Sequence, residues 1–237
     1  VAVRDLSKAG SSLQPLINDF ESENVVIDNM GDQLIVLTNR NAPHKKVVLI
    51  DPANPNEKSW KELIAERKDE VLESISYTGG KLLAVYMKDA TSRVYVFDAK
   101  GKQEAEVQLP ALGTVSGFSG HREDKEVYFT FTSFTYPSCV YKYDITTNTT
   151  TLFKKPDIKF DFEQYETKQV FAKSLDGTKV PMFLVLKKGI KLDGNNPALL
   201  YGYGGFNISL TPSFSISNLV FLEQGGIYVL ANLRGGG

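Results

Sequence analysis

One cysteine, Cys139, stands among 237 residues, which excludes an internal disulfide and a metal site of the CxxC kind. Lying in the apolar run Cys139-Val140-Tyr141, it reads as an inert core residue. Histidine is almost as scarce. His44 follows Pro43 in a basic loop and His121 sits in the charged turn His121-Arg122-Glu123-Asp124. Both read as solvent-exposed loop residues, not general bases, and two isolated histidines make a poor metal site. No metal or cofactor is called for. Also missing is G-x-S-x-G, the pentapeptide that sets a nucleophilic serine on a strained strand-to-helix elbow. Gly113-Thr114-Val115-Ser116-Gly117 and Gly117-Phe118-Ser119-Gly120 come near it but read as turns and strand edges. With no triad in sight, the 237 residues alone are expected to be catalytically inactive.

Charge of one sign is lacking too. The 27 basic and 28 acidic residues leave a net charge of −1, so no electrostatic footprint for nucleic acid or an anionic membrane is present. No apolar run approaches the ~18 to 20 residues of a membrane span. An apolar share of 42% and a charged share of 23% are those of an ordinary soluble globular protein, with room for one large or two medium domains. The chain opens at Val1 without Met or signal-peptide pattern and stops at Gly235-Gly236-Gly237. Both ends read as cuts.

What is present, up to about residue 155, is a repeat. An apolar run closed by Asp recurs: Ala2-Val3-Arg4-Asp5, Val47 to Asp51, Val94 to Asp98 and Val140 to Asp144. The anchors lie 46, 47 and 46 residues apart. A strand precedes each of the last three, at Gln33 to Thr38, Lys81 to Met87 and Glu126 to Thr132, and a polar turn and further strand follow. Four strands every ~40 to 50 residues is the period of a β-propeller blade. Three near-complete blades are expected to start near Asn24, Val71 and Thr114. A fourth is represented by its last two strands, Val1 to Asp5 and Gln14 to Ile17. Propellers usually close with about four to eight blades, so this is a piece of one. The loops at Asn39 to Lys45, Lys88 to Ser92 and Ser133 to Ser138 read as turn chemistry.

Past Lys155-Pro156-Asp157 the period is lost. Glu163 to Lys173 and Lys179 to Leu186 read as a hairpin around Asp176-Gly177. Pro197-Ala198-Leu199-Leu200 reads as a buried strand, Ser217 to Gln224 as a helix stopped by Gly225-Gly226, and Ile227 to Ala231 as a strand buried in a mainly parallel sheet. Domains are therefore expected at 1–156 and 157–237, a partial propeller and the opening of an α/β domain. Between the first α/β strand and the helix lies Tyr201-Gly202-Tyr203-Gly204-Gly205-Phe206. Three glycines permit a sharp turn and close approach of a ligand, and strand ends are where open α/β sheets bind ligands. A plain Gly-rich turn with incidental aromatics is the competing reading.

Residues 157–237 resemble the start of the peptidase domain of the prolyl oligopeptidase family. The motifs are Ser174-Leu175-Asp176-Gly177-Thr178-Lys179-Val180-Pro181-Met182-Phe183, Lys187-Lys188-Gly189-Ile190-Lys191-Leu192-Asp193-Gly194, Tyr201 through Ser209 and Ala231 through Gly237. The repeat resembles the same family's last blades, with weaker motifs such as Phe131-Thr132-Ser133-Phe134. The resemblance covers the whole chain but only about the middle third of the implied enzyme. It implies a monomeric serine peptidase, a propeller of about seven blades capping an α/β-hydrolase domain, that cleaves short proline-containing peptides after proline. Its Ser, Asp and His would lie beyond this chain.

It further implies that Tyr203 donates a hydrogen bond to the oxyanion of the tetrahedral intermediate and that Phe206 walls the pocket for the substrate proline. Phenols keep their proton at neutral pH and remain donors. A flat apolar ring suits a pyrrolidine, which has no N–H to satisfy. Tyr201 reads as core packing. Two alternatives stay open: a sibling such as oligopeptidase B or an acylaminoacyl peptidase, and a non-catalytic propeller used for binding. A cytoplasmic location is expected, with the periplasm or secretion as alternatives.

Overall fold

Strand alternation decides the architecture sheet by sheet. The computed structural model describes residues 1–236; Gly237, the last residue of the closing Gly-rich motif, lies outside the described residues. A two-stranded antiparallel sheet, β1 (Ala2–Val3) with β2 (Gln14–Pro15), comes first. Three four-stranded antiparallel meanders follow. They are β3 to β6 (Asn24–Met30, Gln33–Thr38, Lys46–Ile50, Lys61–Ile64), β7 to β10 (Val71–Thr78, Lys81–Lys88, Thr91–Phe97, Gln103–Glu106) and β11 to β14 (Thr114–Gly117, Glu126–Thr132, Cys139–Asp144, Thr149–Lys154). Each begins at the residue that the repeat assigns to it.

Consecutive meanders pack face to face. Along β8, Leu82, Ala84 and Tyr86 face the meander before, whereas Leu83 and Val85 face the one after. A strand buried on both faces reads as a continuous apolar run, and here both stripes are occupied. Cys139 is buried in the second of these interfaces, as its sequence context implies.

The recurring Asp has a local physical role. Asp5, Asp51, Asp98 and Asp144 each accept a hydrogen bond through Oδ1 from the backbone N–H two residues on, at 3.0, 2.8, 2.8 and 2.8 Å. Each carboxylate thus closes the polar turn after its strand in an Asx geometry. Asp144 also accepts from the Thr146 hydroxyl at 2.6 Å and the Thr147 N–H at 2.9 Å. These bonds, the Thr146 hydroxyl foremost, pull its pKa from 3.8 down to about 2. A depressed carboxylate contributes stability above its unfolded pKa and loses it as pH falls through the folded value. Asp144→Asn keeps an acceptor oxygen but cannot titrate. Its stability deficit against the native protein, read by urea unfolding, should be present at pH 6 and shrink steadily as pH falls from about 4 through about 2. A constant gap would rule out this role.

After β14 the chain makes a short 3₁₀ turn, Phe162–Gln164, capped by the Asp161 carboxylate. The hairpin strand therefore starts two residues later than expected. The C-terminal sheet comprises β15 (Tyr165–Lys173), β16 (Lys179–Lys187), β17 (Ala198–Tyr203) and β18 (Ile227–Asn232), with α1 (Ile216–Glu223) between the last two. Their order is β15-β16-β18-β17, and only β17 and β18 run parallel.

Two expectations are corrected here. The sheet is mixed, not mainly parallel, because the β15–β16 hairpin adds antiparallel to β18. And Pro197 to Leu200 is not buried: every residue of β17 is exposed. The cause is position. β17 is an edge strand bonded only to β18, whereas β18 lies between two strands and beneath Leu219 and Leu222 of α1.

Phe134, in the β12–β13 loop, ties the propeller to this sheet. Turn chemistry does occur there, the Ser133 hydroxyl accepting from the Tyr136 N–H at 3.1 Å. Yet the Phe134 ring is only 4% exposed and lies 5.3 Å from the Phe183 ring and 5.9 Å from that of Tyr228. The loop thus delivers an aromatic plug into the C-terminal core. Thr114 Oγ1 adds a hydrogen bond to the Pro212 carbonyl at 2.8 Å.

Candidate functional site

Tyr203 ends β17, directly opposite Asn232 of β18. Just beyond it the chain passes close to Leu233 and Arg234, and the glycines permit that approach. A Cβ at Gly204 would lie 2.7 Å from the Arg234 carbonyl oxygen and 2.8 Å from Leu233 Cβ. The sharp turn is carried elsewhere. Phe206 and Asn207 are the left-handed residues, with φ of 53° and 56°, while Gly202, Gly204 and Gly205 do not take positive φ. The expectation that these glycines turn the chain is corrected: Gly202 and Gly204 make room for residues 231 to 234, and Gly205 for the Tyr203 ring. An aromatic residue held left-handed costs on the order of 1 kcal/mol, and such strain collects at functional sites.

Gly204→Ala should therefore force β17 away from residues 233 and 234, costing ~1 to 3 kcal/mol by overpacking. Thermal unfolding measures this; an unchanged Tm would contradict the close approach.

The Tyr203 ring lies over Gly205, whose absent Cβ would stand 3.0 Å from the phenol oxygen. The side chain is 38% exposed, and among the described residues no group hydrogen-bonds its hydroxyl. Tyr203 lines a cavity of about 330 Å³ between the propeller and the C-terminal sheet. His44, Glu70 and Asp89 contribute from the propeller, and Asn232 and Arg234 from the sheet. Asn232 donates to the Leu210 carbonyl at 2.6 Å, and its Oδ1 is buried without a partner. Arg234 reaches the Asp176 carboxylate at 2.7 Å, bracing the hairpin turn against the strand end.

Phe206 lies outside that wall. It is 90% exposed and does not line the cavity. Tyr201 is exposed as well, which corrects its reading as core packing: its strand is the sheet edge. His121 is exposed as expected, but His44 is not. Its Nδ1 lies 2.9 Å from the Arg67 carbonyl, its N–H donates to Glu66 at 2.6 Å, and it is half-buried. The neighbouring meander's entry loop folds over it.

That loop also holds a group that sequence reasoning missed. Glu70 is buried and accepts from Arg67 at 2.8 Å and from the Tyr95 hydroxyl at 2.9 Å. The Arg67 guanidinium stacks 4.1 Å from the Tyr95 ring centroid and 4.9 Å from that of Tyr86. Burial, aided by the bond to Glu70, pushes the Tyr95 pKa up to about 12. In the sequence, Glu66-Arg67-Lys68-Asp69-Glu70 is a charge run, and such runs signal solvated loops. Nothing local marks one carboxylate of it as buried.

Face-to-face meanders leading into a mixed sheet, with an aromatic strand end at the cavity between them, define a propeller protein joined to an α/β layer. Residues 1–156 match the family model described as prolyl oligopeptidase, N-terminal beta-propeller domain, and the chain belongs to that family. The chain is 43% identical over 235 residues to a prolyl endopeptidase of Elizabethkingia meningoseptica, covering 99% of this chain and 33% of the relative. It is 38% identical to a prolyl endopeptidase of Dictyostelium discoideum, covering 98% of this chain and 32% of that one. A solved structure from a structural and mechanistic study of two prolyl endopeptidases superposes with a TM-score of 0.89 at 44% identity, over 97% of this chain and 34% of that one. Prolyl oligopeptidase B from Galerina marginata, solved with a 25mer macrocyclization substrate, gives 0.89 at 30% identity, over 100% and 34%. The chain thus spans about a third of the length of the relatives it matches.

Proposed function

We propose that this chain is part of a serine endopeptidase that hydrolyses short peptides on the C-terminal side of proline, and that residues 157–237 open its peptidase domain. The observation that carries this reading is Tyr203: a phenol without a partner, at the end of a strand, in the wall of a cavity between propeller and sheet. The names of the relatives, prolyl endopeptidase above all, support the choice of substrate.

Tyr203 is the oxyanion donor. As a serine attacks the carbonyl after proline, charge builds on the carbonyl oxygen and the phenol O–H donates to it. A preorganised donor of this kind is worth roughly 2.7 to 4 kcal/mol in the transition state. Phe206 supplies the wall for the pyrrolidine ring, its exposed face open to the substrate. An acidic group facing the substrate side chain would favour a basic residue, as in oligopeptidase B; the exposed Phe206 ring favours proline. The Ser-Asp-His triad comes from chain outside residues 1–237. Completed as a ring, the propeller presents a narrow axial channel that admits flexible peptides and excludes folded proteins.

Two readouts test this together. The reading frame after Gly237 should contain G-x-S-x-G within about 60 residues, and a fluorophosphonate should label that serine in the full-length protein. A downstream frame without the motif, and no labelling, would instead favour a binding propeller.

A further inference from the structure

A second cavity, of about 280 Å³, lies beneath the connection that leaves β14 for the C-terminal sheet. Leu152, Pro156, Ile158 and Phe162 give it apolar walls, and β13 supplies Tyr141 beside Cys139. The Tyr136 ring stands 4.5 Å from that of Phe162 and lines the same space. Tyr141 is 8% exposed, yet its hydroxyl has no hydrogen-bond partner among the described residues. The Tyr136 hydroxyl has none either. Unlike the Tyr86 hydroxyl, which is sealed in the core without a partner, these two open on cavity space.

Buried polar groups in folded proteins are satisfied by protein, water or ligand. The Tyr136 and Tyr141 hydroxyls line one cavity with no protein acceptor, and they suit an occupant that brings acceptor oxygens in place of solvent. Lys155 stands at the rim, and its ammonium opposes the upward push that burial gives the Cys139 thiol. Positive charge thus acts on the cavity floor. Asp157 at the same rim limits the occupant to low negative charge. The volume falls at the small end of ligand sites, which run from roughly 300 Å³ upward, and this selects a single-ring molecule.

We propose that this cavity binds a one-ring aromatic carboxylate, with the ring between Leu152, Pro156 and Phe162 and the carboxylate on the Tyr136 and Tyr141 hydroxyls. Because Pro156, Ile158 and Phe162 belong to the connection between propeller and C-terminal sheet, the occupant braces that connection.

The test is a ¹⁹F NMR titration of 4-fluorobenzoate into the full-length protein. Saturable binding is expected, weakened about tenfold or more in the Tyr136→Phe, Tyr141→Phe double variant, which removes two oxygens and leaves the packing intact. Leu152→Trp fills the cavity from an exposed position and should abolish binding while the Tm stays within about 2 °C. 4-Fluorobenzamide, of similar shape but neutral, should bind several-fold more weakly. No saturable binding, or binding that both variants leave untouched, overturns the proposal.

Discussion

Tyr203→Phe in the full-length protein should lower kcat for a proline-containing peptide by about 10² to 10³, with KM and Tm almost unchanged. The change deletes one oxygen and keeps the ring that lies over Gly205, so packing at the end of β17 is preserved. No described residue loses a hydrogen bond. The lost donor acts only once charge has developed on the substrate oxygen, and an interaction made only in the transition state appears in kcat. Steady-state kinetics on one peptide, with a melting curve as control, gives the answer. Equal losses in KM and Tm would make Tyr203 a structural residue.

Phe134→Ala should cost ~3 to 5 kcal/mol, the usual range for emptying an aromatic site in a closed core. The ring is buried against Phe183 and Tyr228, in a cluster that also holds Leu219 and Leu222 of α1. The loss is expected to be local. Hydrogen exchange should accelerate in β16 and β18, whose side chains line the cluster, and stay slow in β8, which packs in different clusters. Uniform acceleration across both regions would mean that Phe134 supports the whole fold and is not the plug between its two parts.

The propeller was legible because its signal is periodic and covalently close. An Asp that bonds the N–H two residues on needs no distant partner, so Asp51, Asp98 and Asp144 mark their strand ends wherever they fall. Contacts between meanders were less visible. Glu70 is buried only because Arg67, Tyr95 and the neighbouring loop converge on it, and a charge run does not announce that. The same holds for Phe134, which reads as one aromatic in a turn until Phe183 and Tyr228, some 50 and 90 residues later, close around it. Burial of Leu199 and Leu200 was misjudged because apolar content does not distinguish a central strand from an edge. Tyr203 and Phe206 stood out as aromatics among glycines, but their separate roles came from family resemblance. What the structure adds is the cavity beside Tyr203, and a physical use for Gly204 and Gly205 that differs from a turn.

The most direct measurement is a cleavage map. A short, unstructured peptide with one internal proline, one arginine and one glutamate is incubated with the full-length protein, and the products are weighed by mass spectrometry. A proline-specific peptidase gives a single cut, on the C-terminal side of proline, and none after fluorophosphonate treatment. A cut after arginine, or an intact peptide, would contradict it.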